Sequence, residues 1–346
     1  MNLADALLVG KFNLWNRDQD RLRVEHPLQY LFWESTLNCN FFCKHCGSSA
    51  GRHQVTGELT TKEIMAVFRS ISQKIDPKTV TIAVTGGEPL LRSDLFEVMS
   101  YASSLGFPWG MVTNGFLVTP HVVKQMKQSG MKTIVVSIDD IGKHHDRYRN
   151  MPGAYDHAVR AVKLLTKENT FEHVQITTTI HRGNIERLHD MYTTFSSLSI
   201  TSWRVMNVSP IGRAESQKDF ILQGKQLREL LDFIKAKRKE APFEILYGCE
   251  GFLGSQYEGK VRDHLFSCKT GITIGSILAN GDIFVCPNVP RIPSLIQGNV
   301  RLNDFMDVWE NRFFYSEIRT ELHVRHVKRV NFGMNVGEDR FTFGIL

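Results

Sequence analysis

Cys39, Cys43 and Cys46 stand within eight residues, in the spacing Cys-x-x-x-Cys-x-x-Cys. Three thiolates this close can grip one corner of a cubane iron–sulfur cluster, each on a different iron, and leave the fourth iron without a protein ligand. A vacant iron is chemically useful, because a substrate or cofactor can chelate it and take an electron there. Two other readings stay open at this point. A zinc ion needs four ligands, so His45 or His53 would have to complete the set, and no matching second pair of cysteines lies nearby. Simple buried thiols are the other reading, against which stands the crowding of three cysteines onto one short polar loop.

A second motif, Thr85-Gly86-Gly87-Glu88-Pro89-Leu90, closes the second of a series of strand-like runs. Gly86 and Gly87 lack side chains and would let a ligand approach the backbone. Glu88 supplies a carboxylate that can accept hydrogen bonds from an ammonium group, and Pro89 stiffens the turn.

Those strand-like runs are Tyr30–Glu34, Thr79–Thr85, Trp109–Thr113, Thr133–Ile138, Val174–Ile180 and Ser202–Asn207, each rich in β-branched or aromatic residues. Amphipathic stretches alternate with them, at Lys62–Ser72, Leu95–Leu105, His121–Ser129, Ala154–Lys167, Ile185–Ser196 and Lys225–Lys239. The alternation predicts right-handed βαβ units and a parallel sheet, with the cysteine loop and the Gly-Gly-Glu-Pro loop at strand C-termini, where such folds place their chemistry. Six units are too few for a closed eight-stranded barrel, so a partial barrel or an open doubly wound sheet remains. Past Ala241–Pro242 the βα rhythm is expected to stop. A hairpin is predicted at Ile274–Leu278 and Asp282–Val285 around Asn280-Gly281, followed by a short helix at Leu302–Asn311.

The cysteine spacing and the Gly86-Gly87-Glu88-Pro89 loop together are similar to those of the radical S-adenosylmethionine (SAM) superfamily, over roughly Leu28 to Pro210. The resemblance implies an α/β fold, a (β/α)6 partial TIM barrel. It implies a [4Fe–4S] cluster on Cys39, Cys43 and Cys46, whose open iron is chelated by the amino and carboxylate groups of SAM. Glu88 would help to hold that amino group. One electron, from a flavodoxin- or ferredoxin-type donor, would split SAM into methionine and a 5′-deoxyadenosyl radical that takes hydrogen from the substrate. Ser137 and Asp139, ending the fourth strand, would contact the ribose or methionine part of SAM, with Asn114 after the third strand as a further contact. Thr178, His181, Arg204 and Arg213 are weaker candidates on the fifth and sixth strands and the loops after them.

The other three cysteines lie far downstream. Cys268 is separated by twelve residues from Gly281, which is separated by four from Cys286. This pattern resembles the opening of a SPASM or twitch domain, which implies an auxiliary [4Fe–4S] cluster with Cys249 as a third ligand. The chain departs from that family afterwards, because residues 312–346 hold no cysteine. Two outcomes follow: a half domain with one three-cysteine cluster, or an altered C-terminus that binds nothing. The expected division is an N-terminal extension over 1–28, a radical SAM barrel over 29–240 and a small SPASM/twitch-like α+β domain over 241–346. Enzymes with this type of extension imply a peptide or protein substrate. The alternatives are a small-molecule enzyme of cofactor biosynthesis and a non-catalytic iron–sulfur or zinc protein.

Composition agrees with an ordinary globular enzyme: 42% of the 346 residues are hydrophobic, 23% are charged and the net charge is +6. No run of eighteen apolar residues exists, so no membrane span is expected. The N-terminal stretch MNLADALLVGKFNLW has no basic n-region and reads poorly as a signal peptide, so a cytoplasmic protein with reduced or metal-bound cysteines is expected. The basic run His323–Arg329 has no helix-turn-helix or RNA-recognition pattern around it, and no nucleic-acid partner is expected.

Overall fold

A computed structural model describes residues 3–52, 56–167, 171–248, 251–254 and 256–313; His53, Cys249 and the basic run at 323–329 lie outside the described residues. In chain order the elements are α1 (Leu3–Glu25), β1 (Tyr30–Glu34), α2 (Thr61–Lys74), β2 (Thr81–Thr85), α3 (Leu95–Leu105), β3 (Trp109–Thr113), α4 (Pro120–Gln128), β4 (Thr133–Ser137), α5 (Lys143–Arg149), α6 (Ala154–Lys167), β5 (His173–Ile180), α7 (Leu188–Phe195), β6 (Ser202–Asn207), α8 (Gly224–Lys237), β7 (Glu244–Tyr247), β8 (Ile274–Ile277), β9 (Asp282–Phe284), β10 (Ile296–Asn299) and α9 (Phe305–Arg312).

The local sequence explains the helices that back the sheet. Helix α2 starts at Thr60, whose hydroxyl accepts from the Glu63 amide while Glu63 reaches back to the Thr60 amide, a capping box. Its buried residues Ile64, Val67, Phe68 and Ile71 recur at helical spacing and pack on the sheet. Helix α4 is started by Thr119 and Pro120, and α3 is stopped by Gly106 in the left-handed conformation.

Strands β1 to β7 run parallel, each hydrogen-bonded to the next. One more βα unit exists than the sequence reading counts, because α8 leads into β7 and β7 pairs with β6. The four-residue run Glu244–Tyr247 sits just past Ala241-Pro242, and strands that short carry little periodic signal. The hairpin β8–β9 forms around Asn280-Gly281 as expected, but β8 pairs in parallel with β1, so the whole is one ten-stranded sheet in the order β10-β9-β8-β1-β2-β3-β4-β5-β6-β7.

The parallel part is curved. The chain after β6 meets the chain after β1, where Arg213 bonds the carbonyls of Cys43, Cys46 and Ala50. In a flat sheet five strand spacings would hold the two strands roughly 24 Å apart, so β1 and β6 approach one another across a partial barrel. The outer layer is apolar: Trp203 of β6 packs edge-on against Phe195 of α7 and Phe233 of α8. Arg204, its neighbour in the strand, therefore projects to the inner face, where it is exposed. No described helix is long and apolar enough to cross a membrane.

Candidate active site

The cysteine loop and the Gly-Gly-Glu-Pro loop continue the β1–β2 pairing beyond the strands. Gly87 donates its amide to the Thr36 carbonyl at 2.7 Å and Glu88 donates its amide to the Asn38 carbonyl at 2.9 Å. A Cβ on Gly86, whose φ is +141°, would stand 2.3 Å from the Thr36 oxygen, and one on Gly87 would stand 2.1 Å from the Asn38 oxygen. The glycines are needed where the backbone of the cysteine loop presses on them. Pro89 is buried and starts a short 3-10 turn.

Glu88 is fully buried. Its Oε1 accepts from the Thr113 hydroxyl at 2.8 Å and the Leu90 amide at 3.2 Å, and its Oε2 accepts from the Asn114 amide at 2.8 Å. Burial pushes its pKa up to about 6, against the pull of these donors. A carboxylate offers about four acceptor positions, so Oε2 keeps capacity for one further donor. Asn114 also donates through Nδ2 to Asn40 Oδ1 at 2.8 Å, tying the β3 loop to the cysteine loop.

Cys39, Cys43 and Cys46 share one apolar patch with Phe41, Ala50, Phe116 and Ala154. Burial pushes the Cys39 thiol up to about 11 and the Cys43 thiol up to about 12. Thiolates at such a site need a cation of their own, which the irons of a cluster provide. The Phe41 amide donates to Cys39 Sγ at 3.4 Å, a bond that suits a thiolate ligand. Cluster binding therefore fits the residues present. The zinc reading lacks a ligand set: among the described residues no three His, Cys, Asp or Glu stand together as a single metal ion would need.

Ser137 ends β4 in register with Thr177 of β5, and both are buried. Asp139, the other expected contact of SAM, is fully buried and bonded to protein groups. Its Oδ2 accepts from Arg149 Nε at 2.7 Å and faces His45 Nε2 at 3.4 Å, while its Oδ1 accepts from the Thr179 amide at 2.9 Å. Burial opposes its charge, but Arg149, His45 and His145 outweigh that and hold the carboxyl well below the ordinary range. Burial lowers the pKa of His45 to about 3 and that of His181 to about 4, so both rings are neutral. Tyr148 of α5 is sandwiched between them, 4.3 Å from His45 and 4.0 Å from His181. The Tyr148 hydroxyl, His45 Nδ1, His181 Nε2 and Thr177 Oγ1 are buried without a protein partner, which leaves donors and acceptors for a bound molecule.

Of the weaker candidates, Thr178 belongs to the core, donating to the Ile138 carbonyl at 2.6 Å and accepting from Trp203 Nε1 at 2.8 Å. Arg213 lies on the cysteine loop, with its Nε 2.7 Å from the Cys43 carbonyl and its Nη1 2.7 Å from the Ala50 carbonyl. Sequence reasoning missed Tyr148 and Arg149. Their helix, Lys-His-His-Asp-Arg-Tyr-Arg, reads as a solvated charged turn, and nothing local announces that one face is buried.

The second cysteine set is arranged differently. Cys286 is buried at the end of β9 and accepts from the Asn288 amide at 3.5 Å, while the half-buried Cys268 donates to the Thr270 hydroxyl at 3.3 Å. No disulfide joins them.

Comparisons with known proteins agree with this geometry. Residues 33–195 match the family model described as the radical SAM superfamily. The AdoMet-dependent heme synthase of Nitratidesulfovibrio vulgaris is 27% identical over 300 residues, covering 84% of this chain and 80% of its own. The mycofactocin maturase MftC of Mycobacterium tuberculosis is 28% identical over 293 residues, covering 84% of this chain and 72% of its own. Among solved structures, Streptococcus suis SuiB bound to S-adenosylmethionine shares the fold with a TM-score of 0.67 and 18% identity, over 85% of this chain and 68% of its own. AdoMet-bound anSMEcpe shares it with a TM-score of 0.66 and 17% identity, over 82% of this chain and 80% of its own. With the cysteine loop, the Gly-Gly-Glu-Pro loop and the partial barrel in place, residues 33–195 are a radical SAM domain and the chain is a radical SAM enzyme, with a [4Fe–4S] cluster and SAM as its cofactors.

Proposed function

We propose that the chain is a peptide-modifying radical SAM enzyme, and that Cys39, Cys43 and Cys46 are its cluster ligands. The observation that carries the assignment of the ligands is the loop itself: three cysteines on one apolar patch at the C-terminal end of β1, backed by the Gly86–Pro89 loop of the adjacent strand. When bound, the reduced cluster would supply one electron to the sulfonium of SAM, chemistry that would yield methionine and a 5′-deoxyadenosyl radical able to take hydrogen from the substrate. The protein's own part is to bind, orient and keep water away. Glu88 offers its remaining acceptor position on Oε2 to the SAM ammonium, and it is held for this by Thr113, Asn114 and Leu90. Asn114 and Ser137 lie on the adjacent strand ends for further contacts. Asp139 acts at one remove: paired with Arg149 it holds α5, and with it the Tyr148 ring that lies on His45 of the cysteine loop.

Support for a peptide substrate comes from the mycofactocin maturases among the relatives and from SuiB, which shares the fold and has been seen with its precursor peptide SuiA. Arg204, exposed on the inner face of β6, would offer an anionic group of the substrate a cation. A second reading, a tetrapyrrole substrate, is favoured by the heme synthases and the Fe-coproporphyrin III synthase of Methanosarcina barkeri among the relatives. We further propose that the C-terminal part, from residue 241 onward, is twitch-like, with Cys268, Cys286 and Cys249 as ligands of an auxiliary cluster.

Anaerobic reconstitution followed by 5′-deoxyadenosine assay tests the first claim, with wild type expected to be active and the Cys39/Cys43/Cys46 triple Ala variant inactive. Offering a precursor peptide encoded beside the gene, and separately Fe-coproporphyrin III, tests the substrate. A mass change in the peptide supports the leading reading, and a change only in the porphyrin replaces it with the second.

A further inference from the structure

Between Phe41 and Ala50 the cysteine loop has no helix or strand and only two long turn bonds of its own, from the Cys46 amide to the Cys43 carbonyl at 3.4 Å and from the Ser49 amide to the Cys46 carbonyl at 3.3 Å, so its shape depends on donors from outside the loop. One residue supplies three of them. Arg213, 170 positions from Cys43, donates Nε to the Cys43 carbonyl at 2.7 Å and Nη1 to the Ala50 carbonyl at 2.7 Å. Its backbone amide donates to the Cys46 carbonyl at 3.0 Å. Phe42, on the outer side of the loop, covers the guanidinium with its ring at 4.0 Å. Gly212 brings the stretch after β6 into main-chain contact with the cysteine loop: its φ is +56°, and a Cβ there would stand 2.3 Å from the Gly47 oxygen and 2.5 Å from the Cys46 oxygen.

We propose that Arg213 is the positioning residue of the cluster loop: it locks the main chain from Cys43 to Ala50 in the shape that brings three thiolates onto one cubane, and it ties that shape to the end of β6. The inference rests on the reading that Cys39, Cys43 and Cys46 hold the cluster. The backbone dihedrals between the cysteines set the separation of their sulfurs, and three fixed carbonyls along that stretch leave those dihedrals little freedom. A planar fork is required. Two of the three bonds come from different nitrogens of one guanidinium, and a lysine at the same place keeps the charge but cannot reproduce that geometry.

The test compares wild type, Arg213→Lys and Arg213→Ala as full chains, reconstituted anaerobically, with Cys39→Ala as a control. Three quantities are measured: iron release to a chelator, the electron paramagnetic resonance spectrum of the reduced protein with and without SAM, and the unfolding midpoint of the cluster-free protein. Both Arg213 variants should release iron roughly tenfold faster, the loss expected from one charge-assisted hydrogen bond. They should show an altered SAM-induced spectral change, while the cluster-free midpoint stays near that of wild type. Wild-type iron release and spectra in both variants would overturn the proposal. So would full recovery in Arg213→Lys, which would show that charge rather than the fork matters, or a fall of the cluster-free midpoint that accounts for the iron loss. A wild-type SAM-induced signal that persists in Cys39→Ala would instead overturn the cluster assignment beneath it.

Discussion

Among the described residues, the two cysteine regions of this chain are joined to the barrel through different groups. The loop of Cys39, Cys43 and Cys46 is tied by residues from across the barrel: Gly87 and Glu88 after β2, Asn114 after β3, Asp139 after β4 through His45, and Arg213 after β6. Around Cys268 and Cys286 each sulfur has a contact to a residue two positions away. The hairpin between them is joined to the barrel through β8, which pairs with β1, and its Ala279 amide donates to buried Glu34 at the end of β1, the carboxylate that also pairs with Arg291 beyond Cys286. The difference teaches that the first cysteine set is framed by groups the loop itself does not contain, which the spacing of its cysteines does not announce.

The sharpest way to break this comparison is to remove cysteines from each side. Cys39→Ala, Cys43→Ala and Cys46→Ala should each abolish 5′-deoxyadenosine formation, because three ligands are the minimum for a cubane with one open iron. Chromatographic detection of a wild-type yield in any of the three would remove the first region's distinction.

A smaller but still large effect is expected in the frame. Asp139→Asn leaves Arg149 buried beside a neutral amide, and breaking a buried pair in this way costs roughly 3–5 kcal/mol. Denaturant unfolding of the cluster-free protein measures it, and a loss below about 1 kcal/mol would mean that the pair does not hold α5 in place.

Glu88 gives a pH signature. Its folded pKa, about 6, is above the ordinary 4.5, so the folded state binds the proton more tightly than the unfolded chain. Its contribution to stability should therefore fall as pH rises from about 4.5 to about 6, by roughly 2 kcal/mol, and be flat above that. Glu88→Gln should lack this step when the two proteins are compared by denaturant titration across that window. The same variant should keep its iron while binding SAM about ten- to a hundredfold more weakly, the loss of one charge-assisted hydrogen bond. Unchanged SAM affinity would confine Glu88 to its structural bonds.

The smallest effect on SAM cleavage belongs to the other region. Replacing Cys249, Cys268 and Cys286 together by Ala should leave 5′-deoxyadenosine formation within about twofold and lower the iron count from about eight to about four. A wild-type count already near four would show that the C-terminal cysteines hold no cluster.

Much of the barrel was legible because parallel strands buried on both faces are short apolar runs, and β1, β3 and β6 stand where Tyr30–Glu34, Trp109–Thr113 and Ser202–Asn207 were read. β7 was not, since four residues carry too little period, and β10 offers only Ile296-Gln297-Gly298-Asn299. Within the site, the cysteines and the Gly-Gly-Glu-Pro loop announce themselves by spacing. Tyr148, Arg149 and the carbonyl grip of Arg213 do not, because a buried arginine and an exposed one look alike in sequence.

The chain's sequence by itself determined the chemistry on offer: three thiolates at a fixed spacing, a carboxylate after two glycines, and strands whose alternation with helices brings both loops to one end of a parallel sheet. Only the tertiary structure decided how that chemistry is framed. It made the glycines a close contact between two loops, turned Asp139 inward to Arg149, stacked Tyr148 between two neutral histidines and set Arg213 on the cysteine loop. Each of these depends on which strand lies beside which, and on a sheet that curls until β6 faces β1. No local pattern of residues encodes such long-range neighbours, whereas close packing and the need to satisfy every buried polar group do.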